Sequence, residues 1–218
     1  MRSFGLVCFV LAGCSGPAPG PDGLPAGAIP SGSKQVLIVR KPNDNPNGPV
    51  VLTAWEYSSG WIVVQGPLPC TIGKNGFAAP GEKKEGDGRT PSGAYGIGMA
   101  FGYERDVATN LQYRDARGDD FWIDDPDSPQ YNRWSKGAGS AKSFEKLRRQ
   151  DDLYKYAAVI EYNTDPVVPG AGSAIFLHVW EGPDKPTTGC VAVAMDEMIK
   201  LLAWLDKNRK PVIVLDKP

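Results

Sequence analysis

The stretch Ala174–Met195, AIFLHVWEGPDKPTTGCVAVAM, contains the single histidine of the chain, His178, and the cysteine Cys190 follows it. The apolar first part of the stretch predicts a buried β-strand that carries His178 near its end. The Thr-Thr-Gly-Cys tetrapeptide predicts a turn, and the short spacing between His178 and Cys190 predicts a hairpin-like return of the chain. A cysteine thiol titrates near pH ~8.5 and needs a base to form the thiolate at neutral pH. Any Cys/His catalysis in this chain must therefore use His178 as the base.

Gly189 precedes Cys190, and a glycine at this position suits a cysteine that acts as a nucleophile. A glycine lets the backbone turn sharply and lets a substrate carbonyl approach the sulfur. The backbone N–H groups at Gly189 and Cys190 can then face an oxyanion. The residues alone leave a second interpretation open, in which the strand and the turn only pack in a protein core.

The segments around this stretch predict an α+β fold with a mixed or antiparallel sheet and one or two short helices. Met195–Asn208 has apolar residues at helical spacing, acidic residues in its first turn and basic residues at its end, so it predicts a helix that Pro211 stops. The Ser-Ser-Gly tripeptide at 58–60 predicts a β-hairpin. We expect a second helix at Phe144–Tyr154, capped by Ser143. The predicted strands are Lys34–Arg40, Val50–Tyr57, Trp61–Gln65, Ala94–Tyr103, Lys155–Tyr162, Ser173–Trp180 and Pro211–Leu215.

Length and composition fit that fold, and the net charge argues against a nucleic-acid partner. The 218 residues suffice for one ordinary domain with a sizeable core. The 26 glycines and 20 prolines, together with 41% hydrophobic residues, are typical of a loop-rich β or α+β domain. The formal net charge of −1 at pH 7 leaves no basic footprint for a nucleic acid. We therefore expect no nucleic-acid partner.

The N-terminus is typical of an exported protein. Met1-Arg2 supplies a positive charge, and the mostly apolar segment Ser3–Val10 is too short to span a bilayer. The segment ends in LAGC at 11–14, which resembles the lipobox of bacterial lipoprotein precursors. There the chain is cut before the cysteine, which is then lipidated. We expect residues 1–14 to be a lipoprotein-type signal peptide and Cys14 to anchor the protein to a membrane of the cell envelope or periplasm; an ordinary signal peptide cut nearby is the alternative.

Removal of that signal leaves a tether and two further cysteines. Residues 15–33 are rich in Pro, Gly, Ala and Ser, and they predict a flexible tether. Cys8 leaves with the signal and Cys14 is lipidated, so Cys70 and Cys190 remain. In an oxidising compartment these two thiols can form a disulfide. The turn before Cys190 favours the alternative, in which Cys190 is a reactive thiol and Cys70 is packed in the core.

A second motif lies upstream in Gly81–Gly93, GEKKEGDGRTPSG. Its Thr-Pro-Ser-Gly end is similar to the Thr-Pro-x-Gly stretch of the L,D-transpeptidases of the YkuD type. The segment from His178 to Cys190 resembles their catalytic motif, in which a His on a strand is followed by a loop and a Ser/Thr-x-Gly-Cys turn. Both motifs stand in the family's order, and the resemblance covers about Lys34–Leu215. We therefore expect residues 34–218 to form an L,D-transpeptidase-like catalytic domain.

The resemblance implies a fold and a reaction. The fold is a β-rich YkuD-like sandwich of mixed sheets, with a short strand at Pro67–Gly73. In the reaction, the Cys190 thiolate formed by His178 attacks a peptidoglycan stem tetrapeptide at the carbonyl before its terminal D-alanine. Gly189 and its neighbour hold the oxyanion, and His178 protonates the departing amine. An amine of another stem then resolves the thioester as a cross-link, and no cofactor takes part.

Two other functions stay open beside this one. Water can resolve the thioester instead of an amine, which would make the protein an L,D-carboxypeptidase or a related envelope cysteine hydrolase. A decayed fold can also bind peptidoglycan without catalysis, as a non-catalytic lipoprotein.

Three residues are candidates for substrate binding. Arg89 suits a substrate carboxylate because its guanidinium is always charged and forks toward carboxylates, although a structural ion pair is equally compatible. Trp180 lines a substrate wall or packs in the core. Thr188 lies in the cysteine turn.

The acidic run at 124–127 lacks the Gly and Glu of a calcium loop and predicts a solvated turn. With one histidine and no Cys pair at ligand spacing, we expect no metal site.

The catalytic motif departs from the family pattern around the two reacting side chains. Thr188 stands where the family usually has a His, Ala192 where it has Arg or Asn, and Val179 where a Gly follows the catalytic His. The nucleophile and the base remain. The departures therefore bear on which donor peptide acylates Cys190 and on whether the thioester is then transferred to an amine or hydrolysed.

Overall fold

Twelve strands form in the part of the chain that the computed structural model describes, residues 20–25, 27–42 and 48–216, and the longer ones follow the alternating and continuous apolar runs. The predicted signal peptide and its Cys14 lie outside these residues. The strands are β1 (Gln35–Arg40), β2 (Val51–Tyr57), β3 (Trp61–Thr71), β4 (Gly93–Gly102), β5 (Tyr113–Asp115), β6 (Asp120–Ile123), β7 (Arg133–Lys136), β8 (Phe144–Lys146), β9 (Tyr156–Ile160), β10 (Phe176–Val179), β11 (Val191–Val193) and β12 (Val212–Leu215).

Nine strands form the main sheet in the order β12-β1-β2-β3-β11-β10-β9-β4-β5. β12 pairs with β4 as well as with β1, so the sheet closes on itself between these strands, and the short strand β5 extends from β4 as an edge strand. The pairs β1–β12, β10–β11 and β4–β5 are parallel, and the other pairs are antiparallel. This barrel-like sandwich confirms the predicted β-rich α+β fold with mixed strand directions.

The predicted C-terminal helix is confirmed as α1 (Met195–Trp204). Met198, Leu201 and Leu202 are buried and pack on one face of the main sheet. The helix is shorter than predicted, because a 3₁₀ turn at Lys207–Arg209 replaces its last residues. Across the described ranges no helix has the length and the apolar composition needed to cross a membrane.

The helix expected at Phe144–Tyr154 is wrong. Its first residues form β8, which pairs with β6 in a second sheet of order β7-β6-β8. Leu147 is fully buried and Glu145 is partly buried, while the residues on either side of each are exposed, which is the alternation of a strand. Farther on, the Asp151 carboxylate accepts a hydrogen bond from the backbone N–H of Leu153, so a local turn replaces the helical ladder.

The second sheet covers the face of β10 that points away from α1. The ring of Phe176 on β10 makes edge-to-face contacts with three other aromatic rings at centroid distances of 5.1 to 5.6 Å. These rings belong to Phe101, Trp122 and Tyr154. The aromatic cluster fixes the second sheet against the strand that carries the histidine.

The described part of the expected tether lies on the sheet. Leu24 is only 4% exposed and packs against Val36 and Ile38 of β1. Asp22 forms an ion pair with Arg40 at the end of β1. The described residues of this segment thus pack on the sheet and do not form a flexible tether. Burial of an apolar side chain against an apolar strand face stabilises the folded state even in a Pro- and Gly-rich segment.

We predict that Phe176→Ala lowers the free energy of unfolding by about 3–5 kcal/mol, because it removes a fully buried ring from the aromatic cluster. Urea denaturation measures the loss. Phe144→Ala is the matched control, since Phe144 is 37% exposed and should cost clearly less. Equal losses in the two variants would contradict a central role for the aromatic cluster.

Candidate active site

The register of β10 on β11 brings the two predicted catalytic side chains onto one face of the main sheet. His178 pairs with Ala192 and Leu177 pairs with Val191, so Cys190 lies opposite Phe176. Alternate residues of a strand share a face, and therefore His178 and Cys190 project to the same side. The expected hairpin return is wrong, because the two strands are parallel.

The connection between the strands crosses over instead of turning back. Thr187 in this connection forms a bridge with Gly73, donates its backbone N–H to the carbonyl of Ile72, and accepts a hydrogen bond from the N–H of Lys74. These bonds tie the connection to the end of β3. The chain can therefore enter β11 in the same direction in which it left β10.

The thiol of Cys190 is buried and protonated at rest. Only 5% of the residue is exposed, and Sγ donates to the carbonyl of Ala174 at 3.2 Å and accepts from the N–H of Phe176 at 3.4 Å. Burial raises the pKa of the Cys190 thiol well above its ordinary value, and the negative charge of Glu145 raises it further. The resting group is thus a thiol and not a thiolate.

His178 is neutral at rest and has one ring nitrogen available as a base. Nδ1 lies 2.7 Å from the carbonyl oxygen of Val179, which can only accept, so Nδ1 carries the proton and Nε2 keeps its lone pair. Burial lowers the pKa of His178 to about 4, although the carbonyls of Val179 and Leu153 favour the protonated ring. Among the described residues no hydrogen bond joins His178 to Cys190, a separation that substrate binding commonly closes in enzymes of this kind.

The cysteine turn is held by hydroxyl groups from both sequence motifs. Thr187 Oγ1 donates to the carbonyl of Cys190 at 2.7 Å and accepts from the N–H of Gly189 at 3.1 Å. Thr90 Oγ1, from the upstream Thr-Pro-Ser-Gly stretch, lies 3.4 Å from the same carbonyl. A Cβ at Gly189 would lie only 3.1 Å from the backbone oxygen of Arg89. The position thus needs glycine for the close approach of the two motifs.

Two cavities meet at the cysteine. The first, which we name the acidic cavity, measures about 350 Å³ and contains the carboxylates of Glu85, Asp124 and Glu145 as well as Lys74 and Lys83. The second, the histidine cavity, measures about 250 Å³. Its lining includes Arg149, Tyr154, His178, Trp180 and Lys185. Cys190 lines both cavities, so a bound chain can extend to either side of the sulfur.

Two of the three predicted substrate residues lie at these cavities, and one does not. Thr188 lines both, and Trp180 lines the histidine cavity. Arg89 is exposed and lines a separate depression beside Asp87. The cations near the cysteine are instead Lys83, which donates to Asp87 at 2.7 Å, and Lys74 in the acidic cavity, together with Arg149 and Lys185 in the histidine cavity. All four belong to loops in which the sequence carries no signal that selects one basic residue over another.

Sequence reasoning missed Glu145 and Tyr154. The Tyr154 hydroxyl donates to the Glu145 carboxylate, and its ring lies edge-on to the His178 ring at a centroid distance of 5.1 Å. Both residues lie inside the wrongly predicted helix Phe144–Tyr154. In that helix they would stand at opposite ends, with their side chains apart. Only the strand alternation of Glu145 and Leu147 hinted at an inward carboxylate.

The remaining cysteine and the acidic turn have structural roles. Cys70 and Cys190 are both free, and they belong to core clusters on opposite faces of the sheet, so the alternative of a disulfide between them is not realised. Burial raises the pKa of Cys70 to about 12. Asp125 accepts from the backbone N–H groups of Asp127 and Lys142, as a turn does, but the expectation of a solvated turn is wrong, because Asp125 is buried and Asp124 lines the acidic cavity. In the described ranges no three His, Cys, Asp or Glu side chains converge as a metal site.

Comparison with known proteins agrees with this geometry. The sequence model of the YkuD family, described as the L,D-transpeptidase catalytic domain, matches residues 34–214. No curated protein and no solved structure matches the chain. The match covers most of the chain and both motifs, and so the protein belongs to the YkuD family of L,D-transpeptidase catalytic domains. Its members are cysteine-dependent and act on peptidoglycan stem peptides.

We predict that iodoacetamide alkylates Cys190 slowly at pH 7 and that the rate still rises above about pH 10, well past the ordinary thiol pKa of ~8.5, because burial keeps the thiol protonated. Peptide mass spectrometry at a series of pH values measures the rate at this residue. The same peptide in the urea-unfolded chain is the control and should reach its plateau at a lower pH. A plateau near neutral pH in the folded protein would instead indicate a preformed thiolate.

We predict that His178 makes the fold less stable in acid. The unfolded chain protonates this ring near pH 6.5, whereas the buried ring stays neutral down to about pH 4. The unfolded state thus takes up the proton first, and the free energy of unfolding decreases by on the order of 3 kcal/mol as the pH falls through this window. Urea denaturation at pH 7 and at pH 4 measures the change. His178→Gln should lack this component, and equal losses in both proteins would contradict the assignment.

Proposed function

We propose that this protein is a peptidoglycan L,D-transpeptidase that acts through a thioester on Cys190. One observation carries the proposal: a buried thiol and a neutral histidine with a free Nε2 share one strand face where two cavities meet. Family membership supports a stem peptide as the substrate. We assign the substrate more narrowly as a stem tetrapeptide that loses its terminal D-alanine.

In the first half of the reaction, His178 Nε2 takes the proton of the Cys190 thiol and the thiolate attacks the carbonyl before D-alanine. The bond from sulfur to carbon forms first and moves an electron pair of the C=O bond onto the oxygen. The C–N bond then breaks as the carbonyl re-forms and the His178 imidazolium gives its proton to the departing amine. Backbone N–H groups of the cysteine turn stabilise the oxyanion. The N–H of Gly189 already donates to Thr187, so this bond must loosen or a neighbouring N–H must serve.

The charges around the histidine support one orientation of the substrate. The departing D-alanine carries the terminal carboxylate of the stem, and Arg149 and Lys185 line the histidine cavity. The leaving group then lies beside the imidazolium that protonates it. The acyl part of the stem occupies the acidic cavity, whose ammonium and carboxylate groups suit a peptide with both charges.

The second half of the reaction decides between transfer and hydrolysis. Once D-alanine has left, the histidine cavity can hold an amine of another stem, and attack by that amine forms a cross-link. Its volume of about 250 Å³ leaves room for an acceptor group beside the thioester. If water attacks instead, the protein is an L,D-carboxypeptidase.

We further propose that the protein is exported and held at a membrane of the cell envelope through Cys14. The proposal rests on the LAGC sequence at 11–14 and on the short apolar segment before it. Peptidoglycan lies in the compartment that such a signal reaches.

Incubation of the full-length protein with a stem tetrapeptide tests the enzyme proposal. We expect a thioester adduct in the intact mass, release of D-alanine and a dimeric peptide. Cys190→Ala should abolish all three, whereas Cys70→Ala, the same change on the other face of the sheet, should retain them. D-Alanine without the dimer identifies a carboxypeptidase. Unchanged peptide in the wild type would contradict catalysis and leave a peptidoglycan-binding protein.

A further inference from the structure

We propose that Glu145 is a second acid–base group of this site, which takes a proton from the ammonium of the acyl acceptor. The inference rests on the proposed function above. Three residues line both the acidic cavity and the histidine cavity: Glu145, Thr188 and Cys190. Glu145 is the carboxylate among them, so it can reach a group that approaches the thioester through the histidine cavity.

The fold holds this carboxylate in place. Glu145 pairs with Trp122 in the second sheet, which the aromatic cluster fixes against β10. The Tyr154 hydroxyl donates to the carboxylate, and the Tyr154 ring packs edge-on against His178. A single aromatic side chain thus contacts the base and positions the carboxylate.

Glu145 has no cation of its own. Within the described residues it forms no ion pair, although its side chain is partly buried. A carboxylate withdrawn from water without a direct ion pair is costly; the charge of Arg149 lowers this cost only in part, and a substrate ammonium would supply a direct partner. The titratable or charged side chains that act on it are Tyr154, Asp124, Arg149, Glu85 and Cys190. Burial raises the pKa of Glu145, which brings a carboxyl closer to the basicity that proton transfer at neutral pH requires.

An amine acceptor needs such a group because it is an ammonium at neutral pH and has no lone pair. Glu145 takes one proton and so frees the amine, whose nitrogen then forms a C–N bond to the thioester carbonyl. His178 takes the second proton as the tetrahedral intermediate forms. The C–S bond breaks, its electron pair returns to Cys190, and the His178 imidazolium protonates the sulfur. Glu145 finally releases its proton to solvent, and the product is an amide.

Glu145→Gln separates the two halves of the reaction in the full-length protein, because the amide keeps an acceptor for the Tyr154 hydroxyl but cannot take a proton. The donor is the stem tetrapeptide, and the acceptors are ethylamine and methoxyamine, which have nearly the same shape. Ethylamine is an ammonium at pH 7, whereas methoxyamine is neutral. The rates of thioester formation and of amide formation are measured by mass spectrometry.

We expect Glu145→Gln still to form the thioester, at the wild-type rate or faster because its charge no longer raises the pKa of Cys190, and to transfer the acyl group to ethylamine about 10²-fold more slowly at pH 7. Transfer to methoxyamine should match the wild type, and raising the pH should restore transfer to ethylamine. Tyr154→Phe, which frees the carboxylate from its hydroxyl, should show a smaller loss of the same pattern. Glu104→Gln, the same change at an exposed site, should leave both rates unchanged.

Two results would overturn the role of Glu145. One is a wild-type rate of transfer to ethylamine in Glu145→Gln. The other is an equal loss with both amines, which would indicate damage to the site rather than a missing proton acceptor. A wild-type protein that forms no thioester would instead overturn the proposed function itself, and the separate thioester readout distinguishes that failure from the others.

Discussion

The parallel pairing of β10 with β11 is the contact on which the site depends. Its register places Cys190 opposite Phe176 and His178 opposite Ala192, so both reacting side chains share the face that the second sheet covers. The alternate residues of the same strands enter the main core. A shift of one residue would exchange the two faces and bury the thiol among aliphatic side chains on the wrong side of the sheet.

Burial sets the chemistry of this pair. It raises the pKa of Cys190 and lowers that of His178, so both groups are neutral before substrate arrives. An uncharged pair avoids the large cost of a buried thiolate and imidazolium. The carbonyl of Val179 fixes the tautomer, and a backbone group that cannot titrate thus orients the base in place of a carboxylate.

Segments far apart in the chain complete the site around that pair. The upstream Thr-Pro-Ser-Gly stretch contributes Thr90, which reaches the carbonyl of Cys190, and the glycine before the cysteine permits this approach. The second sheet contributes Glu145, and the segment after it contributes Tyr154. The departures of this chain from the family pattern, at Thr188 and Ala192, lie in the same region. The carboxylate of Glu145 lines the cavities beside these two positions.

The sequence by itself determined seven strands of the main sheet, the C-terminal helix, the β-rich fold and the choice of Cys190 and His178 as catalytic candidates, but it did not indicate the short strands β5 to β8 and β11. Apolar periodicity is a local property, and a lone histidine leaves a single choice of base. Only the tertiary structure decided that β10 and β11 run parallel, that Cys70 faces away from Cys190, that Arg89 points elsewhere, and that residues from Phe144 onward form a strand. The physical reason is the same in each case: pairing partners, sheet faces and loop paths depend on contacts between distant residues. Glu145 reaches the cysteine only because the second sheet packs on Phe176, and no local pattern encodes that contact.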